Sequence, residues 1–140
     1  MSNIEEFFDT TELPSTKWTG YFDVYERHLA KFVGKAPKIL EIANLGGGSI
    51  ELWLKYFGEG TQVIGVDIDP RCLEYKYEGN AQVVMGDQGD PDFWGEFLDK
   101  NTDFDIIIDD GSHIMEHQVL TLIMTFPHLK VGGVYICEDT

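Results

Sequence analysis

Cysteine is scarce in this chain. Cys72 and Cys137 are the two present, and they form no CxxC pair. No thiolate metal site can be built from them, and no disulfide framework is implied. Basic residues are also few: 10 Lys and Arg stand against 25 Asp and Glu, for a net charge of −15. Such a surface repels phosphate backbones and anionic lipid, so neither nucleic acid nor membrane is expected as a partner. A divalent cation, or a neutral or cationic small molecule, suits it better. No apolar run nears the ~20 residues that cross a bilayer. The opening MSNIEEFFDT has neither a basic nor an apolar leader region. A reduced, cytoplasmic protein is the expectation. Two phosphate-binding patterns are missing as well. Gly46, Gly47 and Gly48 fall consecutively, so GxGxxG is not matched, and GxxxxGK[ST] does not occur.

What the sequence does hold is a regular alternation. At 140 residues, with nine Phe, six Tyr and three Trp, it has the apolar content for one packed domain. Apolar runs at Lys38 to Ala43, Gln62 to Asp67, Ala81 to Met85, Phe104 to Asp109 and after Gly132-Gly133 (VYICED) predict five strands. Helical patterns separate them, at Ser49 to Phe57, Pro91 to Leu98 and through Val119, Leu122, Ile123 and Phe126. Ser49 is the expected N-cap of the first, with Gly58 just past its end. A further helix is predicted from Tyr21 to Phe32. Strands separated by helices give right-handed βαβ units. The expected fold is α/β, a Rossmann-like doubly wound, mainly parallel sheet with helices on both faces. Residues 1–36 form a helical segment packing on the core, and 37–140 the ligand-binding domain. The sequence ends directly after the fifth strand, so the reading expects a fold cut short there. Either the chain is part of a larger protein or a partner, such as a second copy, covers an apolar sheet edge.

In an open α/β sheet, ligands bind beyond the carboxyl ends of the strands. The loop EIANLGGGS follows the first strand, where glycines allow a sharp turn and close approach. Asp67 ends the second strand, where an acid can accept hydrogen bonds from both ribose hydroxyls. With the phosphate motifs missing, a ligand with ribose but no phosphate fits best, and S-adenosylmethionine is the obvious one. Asp87 and Gln88, in GDQGD after the third strand, can reach an adenine amino group. Asp109 and Asp110 end the fourth strand and Glu138 and Asp139 the fifth. Four carboxylates at one edge repel each other unless a cation joins them. All-oxygen ligation favours Mg²⁺, with Ca²⁺ and Mn²⁺ as alternatives. His113 follows after a Gly-Ser turn and can take a proton from a substrate hydroxyl near neutral pH.

The series EIANLGGGS, VIGVDIDP, MGDQGD, FDIIIDDGSH and GGVYICED resembles the class I S-adenosylmethionine-dependent methyltransferases. More narrowly, it is similar to the metal-dependent sugar O-methyltransferases of macrolide biosynthesis. That resemblance implies Mg²⁺ held by Asp110, Glu138 and Asp139, with His113 as general base. It implies cofactor contacts from Glu41, Gly47 and Asp67 to the methionine and ribose parts, from Asp87 and Gln88 to adenine, and from Asp109 to the same pocket. Tyr21 and Tyr25 are implied to close over the cofactor. The acceptor would be a small-molecule hydroxyl, on a sugar or another natural product. One departure stands out: Ala43 occupies a turn position where the family usually has glycine. Two competing readings follow: a cofactor-binding module without turnover, and a nicotinamide-dependent oxidoreductase on the same sheet, which the missing GxGxxG opposes.

Overall fold

Parallel strands covered on both faces need apolar residues at successive positions, and the five predicted runs meet that need. In the computed structural model, which describes residues 19–43, 48–74, 77 and 79–138, all five enter one sheet. The strands are β1 (Lys38–Ile42), β2 (Gln62–Asp67), β3 (Asn80–Met85), β4 (Phe104–Asp109) and β5 (Leu129–Cys137). Their order is β3-β2-β1-β4-β5 and every pairing is parallel. The chain therefore reverses its direction of winding between β1 and β4, where such sheets open a crevice. Registry aligns Ile42 with Val66 and with Asp109, Asp67 with Met85, and Asp109 with Cys137. The residues flagged by sequence thus stand along one carboxyl edge.

Helices α1 (Thr19–Leu29), α2 (Gly48–Phe57), α3 (Pro91–Lys100) and α4 (Met115–Thr125) cover the sheet. On one face, Phe22, Tyr25 and Leu29 of α1 and Ile50, Trp53 and Phe57 of α2 pack against Ile39, Val63, Ile106 and Ile108. On the other, Trp94, Phe97 and Leu98 of α3 meet Leu40, Ile42, Ile64, Val66 and Ile107. Alternate residues of each strand feed opposite faces, as the pleat requires. Asp90 caps α3, its side chain accepting from the Asp92 amide, with Pro91 at the first helical position.

Several details differ from the sequence reading. Ser49 is not a cap: α2 begins at Gly48, and Ser49 sits buried within its first turn. The first predicted helix ends at Leu29, with a short 3₁₀ turn at Ala30–Phe32, and α3 runs on to Lys100. Gly132 and Gly133 lie inside β5. They lie within a register shift against β4, between Leu129 and Val134, and Gly132 takes φ +86° there. Most telling is α4. Its predicted core stripe, Val119, Leu122, Ile123 and Phe126, faces outward. The buried positions are Thr121 and Thr125, with Leu120 and Met124 partly buried beside them. Each threonine hydroxyl donates to the carbonyl four residues earlier, Thr121 to His117 (2.8 Å) and Thr125 to Thr121 (2.7 Å). Satisfied in this way, a hydroxyl can be buried at little cost.

None of the described helices is long and apolar enough to cross a membrane. The reversed face of α4 gives a direct test. Ile123→Gln is expected to change unfolding free energy by under about 0.5 kcal/mol. Ile107→Ala, on the covered strand, should cost about 2–5 kcal/mol. Urea denaturation of both variants decides between this orientation and the one periodicity suggests.

Candidate functional site

The carboxyl edge opens into a cavity of about 500 Å³. Its wall comes from Ile42 and Ala43 at the end of β1, Val66 to Asp69 at the end of β2, and Gly86 to Gln88 after β3. Gly111, Ser112 and Ile114, between β4 and α4, and His117 in the first turn of α4 complete the lining. Three of the residues marked for cofactor contact, Asp67, Asp87 and Gln88, therefore face one space. Asp67 is nearly buried, and its Oδ1 accepts from the Asp69 amide at 2.9 Å, which fixes the acid at the strand end. Ile68 and Ile114, both exposed, also line the cavity. Ala43 takes φ +69°, the left-handed region that glycine adopts freely and alanine at a cost of about 1–2 kcal/mol.

Glu41 and Asp109 are absent from the cavity lining. Both are fully buried in the supporting wall. Glu41 accepts from Ser49 Oγ (2.6 Å) and from Trp53 Nε1 (2.7 Å). This ties the first turn of α2 to β1. Asp109 accepts from Gln88 Nε2, 3.2 Å from each oxygen, and from the Gly111 amide at 3.0 Å. Burial raises its pKa above the ordinary aspartate range, and these hydrogen bonds oppose the rise without cancelling it.

Gln88 connects more elements than its neighbours do. Beyond Asp109, its Nε2 donates to Thr121 Oγ1 (2.9 Å), and its Oε1 accepts from the Ser112 amide (2.7 Å). Its backbone carbonyl accepts from Trp94 Nε1 at 2.9 Å. A second tie joins Ser112 Oγ to His117 Nδ1 at 2.8 Å. These contacts hold the turn that carries Asp110 and His113. His113 has φ +61°, and its Nε2 is 3.8 Å from Asp110 Oδ1. Its side chain is 43% exposed, against 20% for Asp110, so it is open to an acceptor arriving from solvent.

Of the expected metal ligands, Asp110 and Glu138 directly follow adjacent strands, and the Glu138 amide donates to the Asp109 carbonyl at 2.8 Å. Glu138 is almost fully buried. Its Oε1 accepts from the Tyr25 hydroxyl. Burial, and then the neighbouring Glu138 carboxylate, hold that hydroxyl far above the ordinary tyrosine range, so it remains a donor at any working pH. Asp139 and Gly47 lie outside the described residues, as does the side chain of Tyr21. Among the described residues, no three His, Cys, Asp or Glu side chains gather as a metal cage. The two described carboxylates present oxygen only, a donor set that suits a hard cation. Tyr25, implied to close over the cofactor, is instead buried against Trp53 with ring centroids 5.1 Å apart. The sequence reading assigned no role to Ser112, His117 or Thr121, and gave Ser49 only that of a cap. Only their short spacing from flagged acids hinted at one.

The raised pKa of Asp109 has a stability consequence. The folded state binds its proton more tightly than the unfolded chain, so this group's contribution is fully present below the ordinary value of ~3.9 and is lost as pH rises through the raised folded value. Unfolding free energies measured from about pH 4 to about pH 7 should fall more steeply for the parent than for Asp109→Asn. Parallel profiles would remove Asp109 as the cause.

No protein-family model matches the chain. Among curated proteins it is 36% identical over 122 residues to demethylmacrocin O-methyltransferase of Streptomyces fradiae, covering 82% of this chain and 30% of that protein. It is 38% identical over 134 residues to 8-demethyl-8-alpha-L-rhamnosyl tetracenomycin-C 2'-O-methyltransferase of Streptomyces olivaceus, covering 89% and 35%. Among solved structures, the MycE methyltransferase of the mycinamycin biosynthetic pathway, in complex with Mg and SAH, superposes with a TM-score of 0.80 at 31% identity. That match covers 99% of this chain and 36% of the other. The chain spans about a third of the length of the curated relatives it matches.

Proposed function

We propose that this chain, which resembles the macrolide and sugar O-methyltransferases over most of its length and has their class I methyltransferase core, binds S-adenosylmethionine and serves methyl transfer to a hydroxyl of a small glycoside or related natural product, assisted by Mg²⁺. The observation that carries the reading is the cavity at the carboxyl edge, with Asp67, Asp87 and Gln88 on its wall. The relatives support it, since both are named as O-methyltransferases, one of them of a rhamnosyl tetracenomycin.

In this reading Asp67 accepts from the ribose hydroxyls. Two acceptor oxygens at a strand end match two vicinal donors, and the Asp69 amide keeps one of those oxygens oriented. Asp87 borders the adenine end, with Gln88 in the wall behind it and Ile68 and Ile114 offering apolar surface to the ring faces. Glu41 and Asp109 act from beneath, shaping the wall through Ser49, Trp53 and Gln88. Asp110 and Glu138, with Asp139, would hold the cation, and the Tyr25 hydroxyl fixes Glu138 in place. Bound, the cofactor supplies a sulfonium-activated methyl group, and the cation supplies charge that lowers the acceptor hydroxyl's pKa. His113 takes the proton from that hydroxyl as the oxygen attacks, and Asp110 stabilises the imidazolium that forms. With the donor already activated, orientation supplies much of the rate.

One observation favours a second reading, a module that binds the cofactor without turnover. Ala43 places a methyl group on the cavity wall at a backbone angle better suited to glycine. Calorimetric titration of the purified chain with S-adenosylmethionine tests the main proposal. Micromolar binding is expected, weakened about 10- to 150-fold in Asp67→Ala, the worth of a charged hydrogen bond. A folded sample that does not bind overturns it. Ala43→Gly should stabilise the fold by about 1 kcal/mol, read by denaturant unfolding. If Ala43→Gly also restores methyl transfer to a sugar panel that the parent leaves untouched, the second reading holds for the parent.

A further inference from the structure

Gln88 was expected to meet the adenine, yet every hydrogen-bonding atom of its side chain is already engaged. The residue is almost completely buried. One amide hydrogen goes to Thr121 Oγ1, the other is shared between the two oxygens of Asp109, and Oε1 takes the Ser112 amide. Donating to a base edge would require breaking one of the amide's bonds inside a low-dielectric wall, where an unpaired group is costly. The turn it grips is demanding in its own right. A Cβ at Gly111 would lie 1.7 Å from Gln88 Oε1, so the turn is seated directly on the glutamine amide. Two residues on, His113 is held at φ +61°, a conformation that persists only where surrounding contacts impose it. The contacts that do so are the Gln88 bond to Ser112, the Asp109 bond to Gly111, and the tie between Ser112 and His117. Both Gln88 and His117 also face the cavity.

We infer that Gln88 is a positioning residue: its side-chain amide latches the Gly111–Ile114 turn against the cavity wall, and so couples occupation of the cavity to the placement of His113. The inference rests on the proposed cofactor reading for what fills the cavity, but the latch itself does not. A nucleoside pressing on the wall formed by Gln88, Ser112 and His117 bears on the segment that holds the base. Cofactor and acceptor sites would then communicate through one glutamine rather than through a moving domain. This is a coupling between two sites by way of a shared polar network.

The experiment uses the whole chain and two readouts. Gln88→Met keeps the side chain's volume and removes its hydrogen bonds. Backbone amide exchange at Ser112 and His113 should then speed up about tenfold, the worth of a lost hydrogen bond. S-adenosylhomocysteine is the probe for the second readout. In the parent its binding should shift the His113 amide and ring resonances. In Gln88→Met its affinity should stay within about threefold while that shift is lost. Thr121→Val, which withdraws one partner of the same amide, should move both readouts in the same direction and serves if Gln88→Met does not fold. An unchanged Ser112 exchange rate, or a His113 response that survives the substitution, overturns the latch. So does an affinity loss beyond about thirtyfold with undisturbed turn amides, which would make Gln88 a base-contacting residue. If the folded parent binds no S-adenosylhomocysteine, the cofactor reading and the coupling fall together, and the apo exchange rates alone decide whether Gln88 holds the turn.

Discussion

A carboxylate cannot be buried without donors, and among the described residues Glu41, Asp109 and Glu138 are buried along one sheet edge. Glu41, Asp109 and Glu138 follow β1, β4 and β5 at their carboxyl ends or lie within them, each with almost no exposed surface. Left unsatisfied, any of them would take up a proton or unfold its surroundings. Neutral donors hold them instead: Ser49 and Trp53 for Glu41, Gln88 and the Gly111 amide for Asp109, Tyr25 for Glu138. Much of what surrounds the cavity follows from that requirement. The first turn of α2 is pinned to β1, α1 is pinned to the end of β5, and the turn after β4 is pinned to the loop after β3.

The same requirement explains why α4 presents threonines inward. The sheet face beneath it ends in Asp109 and receives the Gln88 amide, so a fully apolar helix face there would leave polar groups unmatched. Thr121 accepts from Gln88 and donates to its own helix, a hydroxyl that is both buried and satisfied. The apolar stripe that periodicity assigns to the core is left facing out, from Val119 to Phe126. A polar anchor near the site thus outweighs the ordinary amphipathic pattern of a surface helix.

This also marks how far the sequence was legible. The strands could be read because a sheet covered on both faces demands runs such as KILEI and FDIIID, which few other structures explain. Parallel order and strand-end position then placed Asp67, Asp87, Asp109, Asp110 and Glu138 at one edge with no further information. The conformation of Ala43 was signalled through the resemblance, whose family usually has glycine at that position. What could not be read were roles set by partners distant in sequence. Tyr25 meets Glu138 across more than a hundred residues, and no local pattern announces it. Gln88 sits in a short loop motif whose chemistry suits a ligand as well as a neighbour. Ser49 has the composition of a cap, but the carboxylate of Glu41 eight residues earlier offered its hydroxyl a stronger acceptor.

The contrast between Gln88 and Asp67 sharpens the point. Both follow a strand, both face the cavity, and both match a sequence expectation for cofactor contact. Asp67 is a carboxylate on the cavity wall whose Oδ1 takes the Asp69 amide, so it meets the cavity as an acceptor. Gln88 has committed both amide hydrogens and engaged its oxygen within the protein. Commitment of donors within the fold, rather than proximity to a cavity, marks Gln88 as a residue that shapes the space around a ligand. Asp67 on the cavity wall and the exposed His113 stand where a ligand can meet them, while Glu41, Asp109 and Gln88 form the frame behind them.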